Sequence, residues 1–203
     1  NATRCKLKTL YGAPNEVKSM LLSDVAPLAT LRGGPVVVHE DVMISETTLT
    51  TLAGFPASVG GRVFLHDLNH IQSLEGIPKG LTLDTGSLEL HSCKALKTLD
   101  GAPRFVNGNV RLTGDFDNLK AVKFPTGFEM DGELLISQLI VYQLSPTLAL
   151  VPGLTRIGWA QNVHRDDILK IFNEHLKRPK VARTYLELQD ALIEAGLDSI
   201  ADL

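Results

Sequence analysis

Leu96-Lys97-Thr98-Leu99-Asp100-Gly101-Ala102-Pro103 decides the fold, because the same phrase returns along the chain. Earlier copies read Leu7-Lys8-Thr9-Leu10-Tyr11-Gly12-Ala13-Pro14 and Leu28-Ala29-Thr30-Leu31-Arg32-Gly33-Gly34-Pro35. Two more are Leu49-Thr50-Thr51-Leu52-Ala53-Gly54-Phe55-Pro56 and Ile71-Gln72-Ser73-Leu74-Glu75-Gly76-Ile77-Pro78. A degenerate sixth runs from Leu119-Lys120-Ala121-Val122 to Pro125. Successive starts are 21, 21, 22, 25 and 23 residues apart. A fixed period of that size means a stack of like units rather than one thick core.

Each proline is followed by a short alternating segment: Val42-Met43-Ile44, Val63-Phe64-Leu65, Leu88-Glu89-Leu90, Val110-Arg111-Leu112 and Leu134-Leu135-Ile136. Period-two alternation of aliphatic residues predicts one short strand per unit. Glycine stands before most of these strands, as in Val59-Gly60-Gly61-Arg62 and Val106-Asn107-Gly108-Asn109, where a turn with positive φ is expected. Proline withdraws a backbone donor and keeps each return from becoming helical. One unit alone cannot bury its apolar face; stacked, the strands form a parallel sheet and the leucines an internal ladder. The reading is a β-rich solenoid of leucine-rich-repeat type over residues 3–162, with a C-terminal α-helical cap over 163–203. The first copy, around Lys18-Ser19-Met20-Leu21-Leu22, does not alternate cleanly and reads as an irregular terminal unit. One or two degenerate units are expected around Leu144-Ser145-Pro146 and Leu150-Val151-Pro152-Gly153-Leu154.

Composition agrees. Of 203 residues 44% are hydrophobic but only 5% aromatic, which suits thin aliphatic layers. Formal net charge is −3 and no run of Lys or Arg occurs, which argues against a strong hold on nucleic acid or an anionic membrane. No apolar run approaches the ~18 residues that would span a bilayer. No signal peptide is read at the N-terminus, and Asn1-Ala2 reads as the remnant of a cleaved tag. Two cysteines, Cys5 and Cys93, are too few for a disulfide framework; both are expected to be reduced, as in the cytoplasm.

Beyond Asn162 the texture changes. Asp166 or Asp167 is placed to cap a helix over Ile168 to Leu176, with Leu169, Phe172 and Leu176 on one face and an end before Pro179. Tyr185, Leu186, Leu188, Leu192 and Ile193 set a second helix, stopped at Gly196. Leu197, Ile200, Ala201 and Leu203 set a short last helix. These helices are expected to cover the open end of the solenoid; the alternative is a docking or oligomerisation element.

Motifs for chemistry are sparse. His66-x-x-x-His70 has a metal-pair spacing but falls in a loop with no third ligand, and no metal or cofactor is assigned. His164-Arg165-Asp166 begins like a kinase catalytic loop, yet Ile171 stands where that loop needs Asn. Cys93 lies near His91 and Lys94; on a continued strand Cys93 and His91 would point the same way, but a structural thiol is the favoured reading.

A binding surface is expected on the outward face of the stacked strands. The central column is Met43, Phe64, Glu89, Arg111 and Leu135. One flank is Asp41, Arg62, Ser87, Asn109 and Glu133; the other is Ser45, His66, His91, Thr113 and Ser137. Of these, Met43, Phe64, Glu89, Arg111, Leu135, His66, His91 and Arg62 are the candidate partner-binding residues. Outward Met, Phe and Leu in line have the character of a recognition patch.

The Val-x-Gly-x-Val-x-Leu coils resemble those of receptor L domains. The full phrase is more similar to leucine-rich-repeat proteins of large tailed bacteriophages, over residues 7–137. That resemblance implies a phage-encoded, non-enzymatic module of the host cytoplasm that binds a host or phage protein. The alternatives are a structural virion or assembly component, and an enzyme with a site assembled from distant loops near His66 and His91.

Overall fold

The computed structural model describes residues 1–160, 167–179 and 184–203. Each coil of the solenoid carries one longer strand. These are β1 (Ala2–Cys5), β3 (Met20–Val25), β5 (Val42–Ser45), β7 (Val63–His66), β9 (Leu88–His91), β11 (Val110–Thr113), β13 (Gly132–Ile136) and β14 (Leu154–Trp159). They form one eight-stranded sheet in that order, every neighbouring pair parallel. Sequence neighbours are sheet neighbours throughout, which makes the molecule a parallel β-solenoid.

A second strand in most coils escaped the sequence reading, because two residues carry no period. The pairs are β2 (Glu16–Val17), β4 (Val37–Val38), β6 (Ser58–Val59), β8 (Thr82–Leu83), β10 (Phe105–Val106) and β12 (Glu129–Met130). They form two three-stranded sheets, β2-β4-β6 and β8-β10-β12. The interruption falls between β6 and β8, at the coil lengthened to 25 residues.

The recurring phrase has a physical account at nearly every position. Its two aliphatic residues form the ladder: Leu28 and Leu31, Leu49 and Leu52, Ile71 and Leu74, and Leu96 and Leu99 are all at most 2% exposed. Burying each contributes about 1.5–3 kcal/mol against the entropy of ordering the coil. The Thr or Ser oxygen accepts from the N–H two residues on: Arg32 to Thr30 at 3.3 Å, Ala53 to Thr51 at 3.2 Å, Glu75 to Ser73 at 3.3 Å and Asp100 to Thr98 at 3.4 Å. The glycine that follows has φ between +80° (Gly33) and +107° (Gly76) in the first five copies.

Gly108 has the positive φ expected before a strand, but Gly60, Gly86 and Gly132 serve another purpose. Gly60, Gly86 and Gly132 are not in the positive-φ set; a Cβ there would lie on the carbonyl of the preceding coil, at His39, Gly61 and Gly108 respectively. Close stacking, not turn geometry, excludes side chains at these positions. Gly108 (φ +148°) and Gly153 (φ +76°) combine positive φ with such contact, at the carbonyls of Gly86 and Met130.

Two expectations about the first coil are corrected. Met20–Val25 is a regular strand, with Met20, Leu22 and Val25 inward and paired to β5 from Met20↔Val42 to Ser23↔Ser45. Ala2, left outside the solenoid in the sequence reading of residues 3–162, opens strand β1 opposite Leu22.

Past β13 there is one further coil, not two. Its return is made of 3-10 turns at Gln138–Gln143 and Pro146–Leu150, and it ends in β14. The cap follows: α1 (Asp167–Leu176), α2 (Tyr185–Glu194) and α3 (Asp198–Ala201). Asp166, one candidate cap of α1, lies outside the described residues. Leu169, Phe172 and Leu176 are buried on one side of α1, as the spacing predicts. Thr184 Oγ1 accepts from Glu187 N at 3.3 Å to start α2, and Gly196 at φ +71° ends it.

Helix α1 packs on β14 and closes its free edge with a side chain. Asn173 Nδ2 donates to Ile157 O, and Ile157 N donates to Asn173 Oδ1, each at 2.8 Å. The amide thus stands where the next strand's peptide would stand. That is the physical content of the cap at this point: it ends the ladder at Ile157 without leaving that residue's donor and acceptor bare.

Candidate protein-interaction face

The outward column forms as the register predicts. Met43 lies opposite Phe64, Phe64 opposite Glu89, Glu89 opposite Arg111, and Arg111 opposite Leu135. Leu21 extends it on one side and Gly158 on the other. These two were missed because β3 and β14 do not share the common pattern. Met43 is 36% exposed, and Phe64, Glu89, Arg111 and Leu135 are half-buried. The described helices pack on β14, on the last 3-10 turns and on one another, so they do not account for this half-burial.

One flank is organised by inter-coil bonds. Asp41 accepts from Arg62 N at 2.8 Å and from the Arg62 guanidinium at 3.0 Å. These bonds hold the Asp41 carboxyl below its usual range and raise the Arg62 guanidinium further. Asn109 Oδ1 accepts from Glu133 N at 3.0 Å, the same device three coils on, and Glu133 meets Arg156 at 3.4 Å. Ser87 donates to Glu89 at 2.9 Å. Asp41, Met43, Arg62, Phe64 and Glu89 surround a shallow cavity of about 160 Å³.

The other flank is aromatic and polar. His66 and His91 meet edge to face, ring centroids 4.6 Å apart, and Phe64 lies 5.8 Å from His66. His91 Nδ1 is 2.8 Å from Thr113 Oγ1, and His66 Nε2 is 3.1 Å from Asp67. Ser45 donates to Ser23 at 3.0 Å. All eight candidate residues therefore share one face.

Asp67 belongs to a feature that no sequence signal disclosed. At the end of successive long strands the backbone turns left-handed, at Asp24 (φ +50°), Glu46 (+51°), Asp67 (+50°), Ser92 (+49°) and Gly114 (+75°). Short polar residues and glycine tolerate this best, so a longer residue such as Glu46 is held there by its stacked neighbours. The reversal also corrects the expected pairing of Cys93 with His91. Beyond Ser92 the chain turns inward: His91 stays half-exposed, while Cys93 is 3% exposed and its thiol reaches the carbonyls of Leu65 and His91.

Burial pushes the Cys93 thiol up to about 11. Thiolate, the reactive form, is thus suppressed. Cys5 is free and exposed. Iodoacetamide near pH 8 is expected to alkylate Cys5 promptly and Cys93 only on unfolding, as read by peptide mass spectrometry. Equal labelling of both in the native state would contradict the buried placement. Because folding favours the protonated thiol, its stabilisation is complete below about pH 9 and is lost as pH rises toward about 11.

His70 lines an open cavity with Asn69 and Gln72, beyond the strand that carries His66. Among the described residues no group of three or more His, Cys, Asp or Glu is placed to hold a metal ion. His164-Arg165-Asp166 lies outside the described residues. Among the described residues no helix is long and apolar enough to cross a membrane. No protein-family model matches the chain, and no curated protein or solved structure is significantly similar to it.

Proposed function

We propose that this chain is a protein-interaction module of leucine-rich-repeat type, non-enzymatic, which binds a partner protein across the outward face of its long parallel sheet. The observation that carries the reading is the register itself. It sets Leu21, Met43 and Phe64 side by side across adjacent strands, then Glu89, Arg111 and Leu135. An apolar anchor followed by opposite charges has the composition of a recognition surface. The Asp41–Arg62 and Glu133–Arg156 pairs fix the rim, which reduces the ordering needed on binding. Arg111 makes no ion pair among the described residues, leaving a guanidinium for a partner carboxylate. The repeat phrase's likeness to proteins of tailed bacteriophages supports a phage origin and a host or phage protein, met in the host cytoplasm, as partner.

Affinity capture from bacterial lysate, with and without infection, tests this. Wild type is compared with Phe64→Glu/Leu135→Glu. Both positions are half-buried on the outward face, so the variant is expected to melt with wild type. It is expected to lose its partner by about 2 kcal/mol or more of binding energy, roughly thirtyfold. Capture of the same partner by both proteins would remove the sheet face from consideration.

A further inference from the structure

Five cations from three consecutive coils meet on the return side of the solenoid. Lys79 and Arg104 each directly follow a phrase proline, Pro78 and Pro103, 25 residues apart. Lys97 and Lys120 hold the same variable position of consecutive phrases, 23 residues apart, and Lys123 stands three further on. Each spacing is one coil, so stacking sets each pair side by side.

These cations rim a groove made of two cavities, of about 620 and 350 Å³, that share Pro125 and Thr126. Lys79 and Arg104 line the larger; Lys97, Lys120 and Lys123 line the smaller. All five are exposed, and among the described residues none forms an ion pair. The Lys97 ammonium donates to the neutral Gln72 amide at 2.9 Å. Among the described residues only two carboxylates, Glu75 and Asp100, line the groove. On a chain of net charge −3 this is a local reversal of sign. The floor of the larger cavity is apolar: edges of Ile77, Ala102, Pro103 and Phe128.

We propose that this groove docks an acidic polypeptide segment with interspersed aliphatic side chains. Unpaired cations within a Debye length, about 10 Å at 0.1 M salt, add to a field that gathers carboxylates. The floor offers aliphatic side chains a surface out of water. Nucleic acid fits less well. Phe124 and Phe128 stack on each other at 4.0 Å and are at most 8% exposed, so the groove presents no open ring on which a base would stack. This docking is separate from binding at the sheet face.

Fluorescence anisotropy with the full chain tests it. The probe is a labelled peptide of about twelve residues, rich in Asp and Glu with three leucines, at about 50 mM salt. Saturable binding is expected, weakened about tenfold or more at 300 mM salt and about tenfold or more by Arg104→Glu/Lys120→Glu. Arg104→Gln/Lys120→Gln, which adds no repulsion, should fall between. Melting temperatures of the variants should match wild type, because both residues are exposed. Replacing the peptide leucines with serine should cost about threefold or more. A single-stranded oligonucleotide of equal charge should bind at least about tenfold more weakly than the peptide. Phe64→Glu/Leu135→Glu should bind the peptide normally, which separates this groove from the sheet face. No saturable binding at low salt, unchanged affinity in the charge-reversed variant, or insensitivity to the leucines would overturn the proposal. Oligonucleotide binding as tight as the peptide's would overturn it in favour of nucleic acid.

Discussion

Alanine at Gly101 is expected to destabilise the solenoid by about 3 kcal/mol, the sum of two separable costs. Gly101 sits at φ +89°, and a side chain in that region costs ~1–2 kcal/mol. Its Cβ would also lie on the backbone of Leu74 and Glu75, one coil away. Backbone cannot rotate aside as a side chain would, so relief requires separating two coils, at ~1–3 kcal/mol. Gly127 separates the two costs. It has φ +84°, but no neighbouring atom lies within 4 Å of where its methyl would stand, so Gly127→Ala should cost only the ~1–2 kcal/mol of the turn. For a chain of this length the two substitutions translate into falls in melting temperature of roughly 6–12 °C and 2–8 °C. Denaturant and thermal unfolding of both variants check the difference; equal losses would mean that inter-coil approach contributes nothing.

Leucine at Asn173 should release the cap. The substitution keeps the volume but removes both bonds to Ile157, a residue at 0% exposure on the terminal strand. Leaving a buried N–H and C=O without partners costs roughly 1–3 kcal/mol each, discounted here because Asn173 itself is half-buried, so about 2–3 kcal/mol in total. The loss should be local. In native-state hydrogen exchange the Ile157 amide and α1 are expected to speed up by one to two orders of magnitude, at ~1.4 kcal/mol per tenfold, while β5 and β7 keep wild-type protection. An opened edge strand should also promote association at high protein concentration. Uniform acceleration across all coils would instead mean that the solenoid opens as one unit. Asn173→Asp keeps an acceptor for Ile157 N but loses the donor, so it should fall between leucine and wild type.

Reading these elements in the sequence succeeded where period and chemistry coincide. Val63-Phe64-Leu65 alternates because one face packs on the ladder and the other does not, so strand, register and outward column were all legible. β3 was not read as a regular strand because Lys18-Ser19, not glycine, precedes it and it belongs to the terminal unit, where irregularity is expected. The two-residue strands were illegible because two residues have no period. The role of Gly60, Gly86 and Gly132 was misassigned because a glycine that avoids a neighbouring carbonyl looks the same as one that turns. Asn173 gave no signal, since an amide in a helix names no partner.

The sequence by itself determined the coil: its length, its inward leucines, its phrase and therefore which residues stand on the outward face. Those are local properties, set by alternation and by turn chemistry within about 25 residues. Only the tertiary structure decided what touches across coils. It turned Cys93 away from His91, placed His66 against His91, and set the Asn173 amide on the edge of β14. It also gathered Lys79, Lys97, Arg104, Lys120 and Lys123, which form no run in the chain, into one groove. The physical reason is the same in each case: residues one coil apart in sequence become neighbours only when the coils stack.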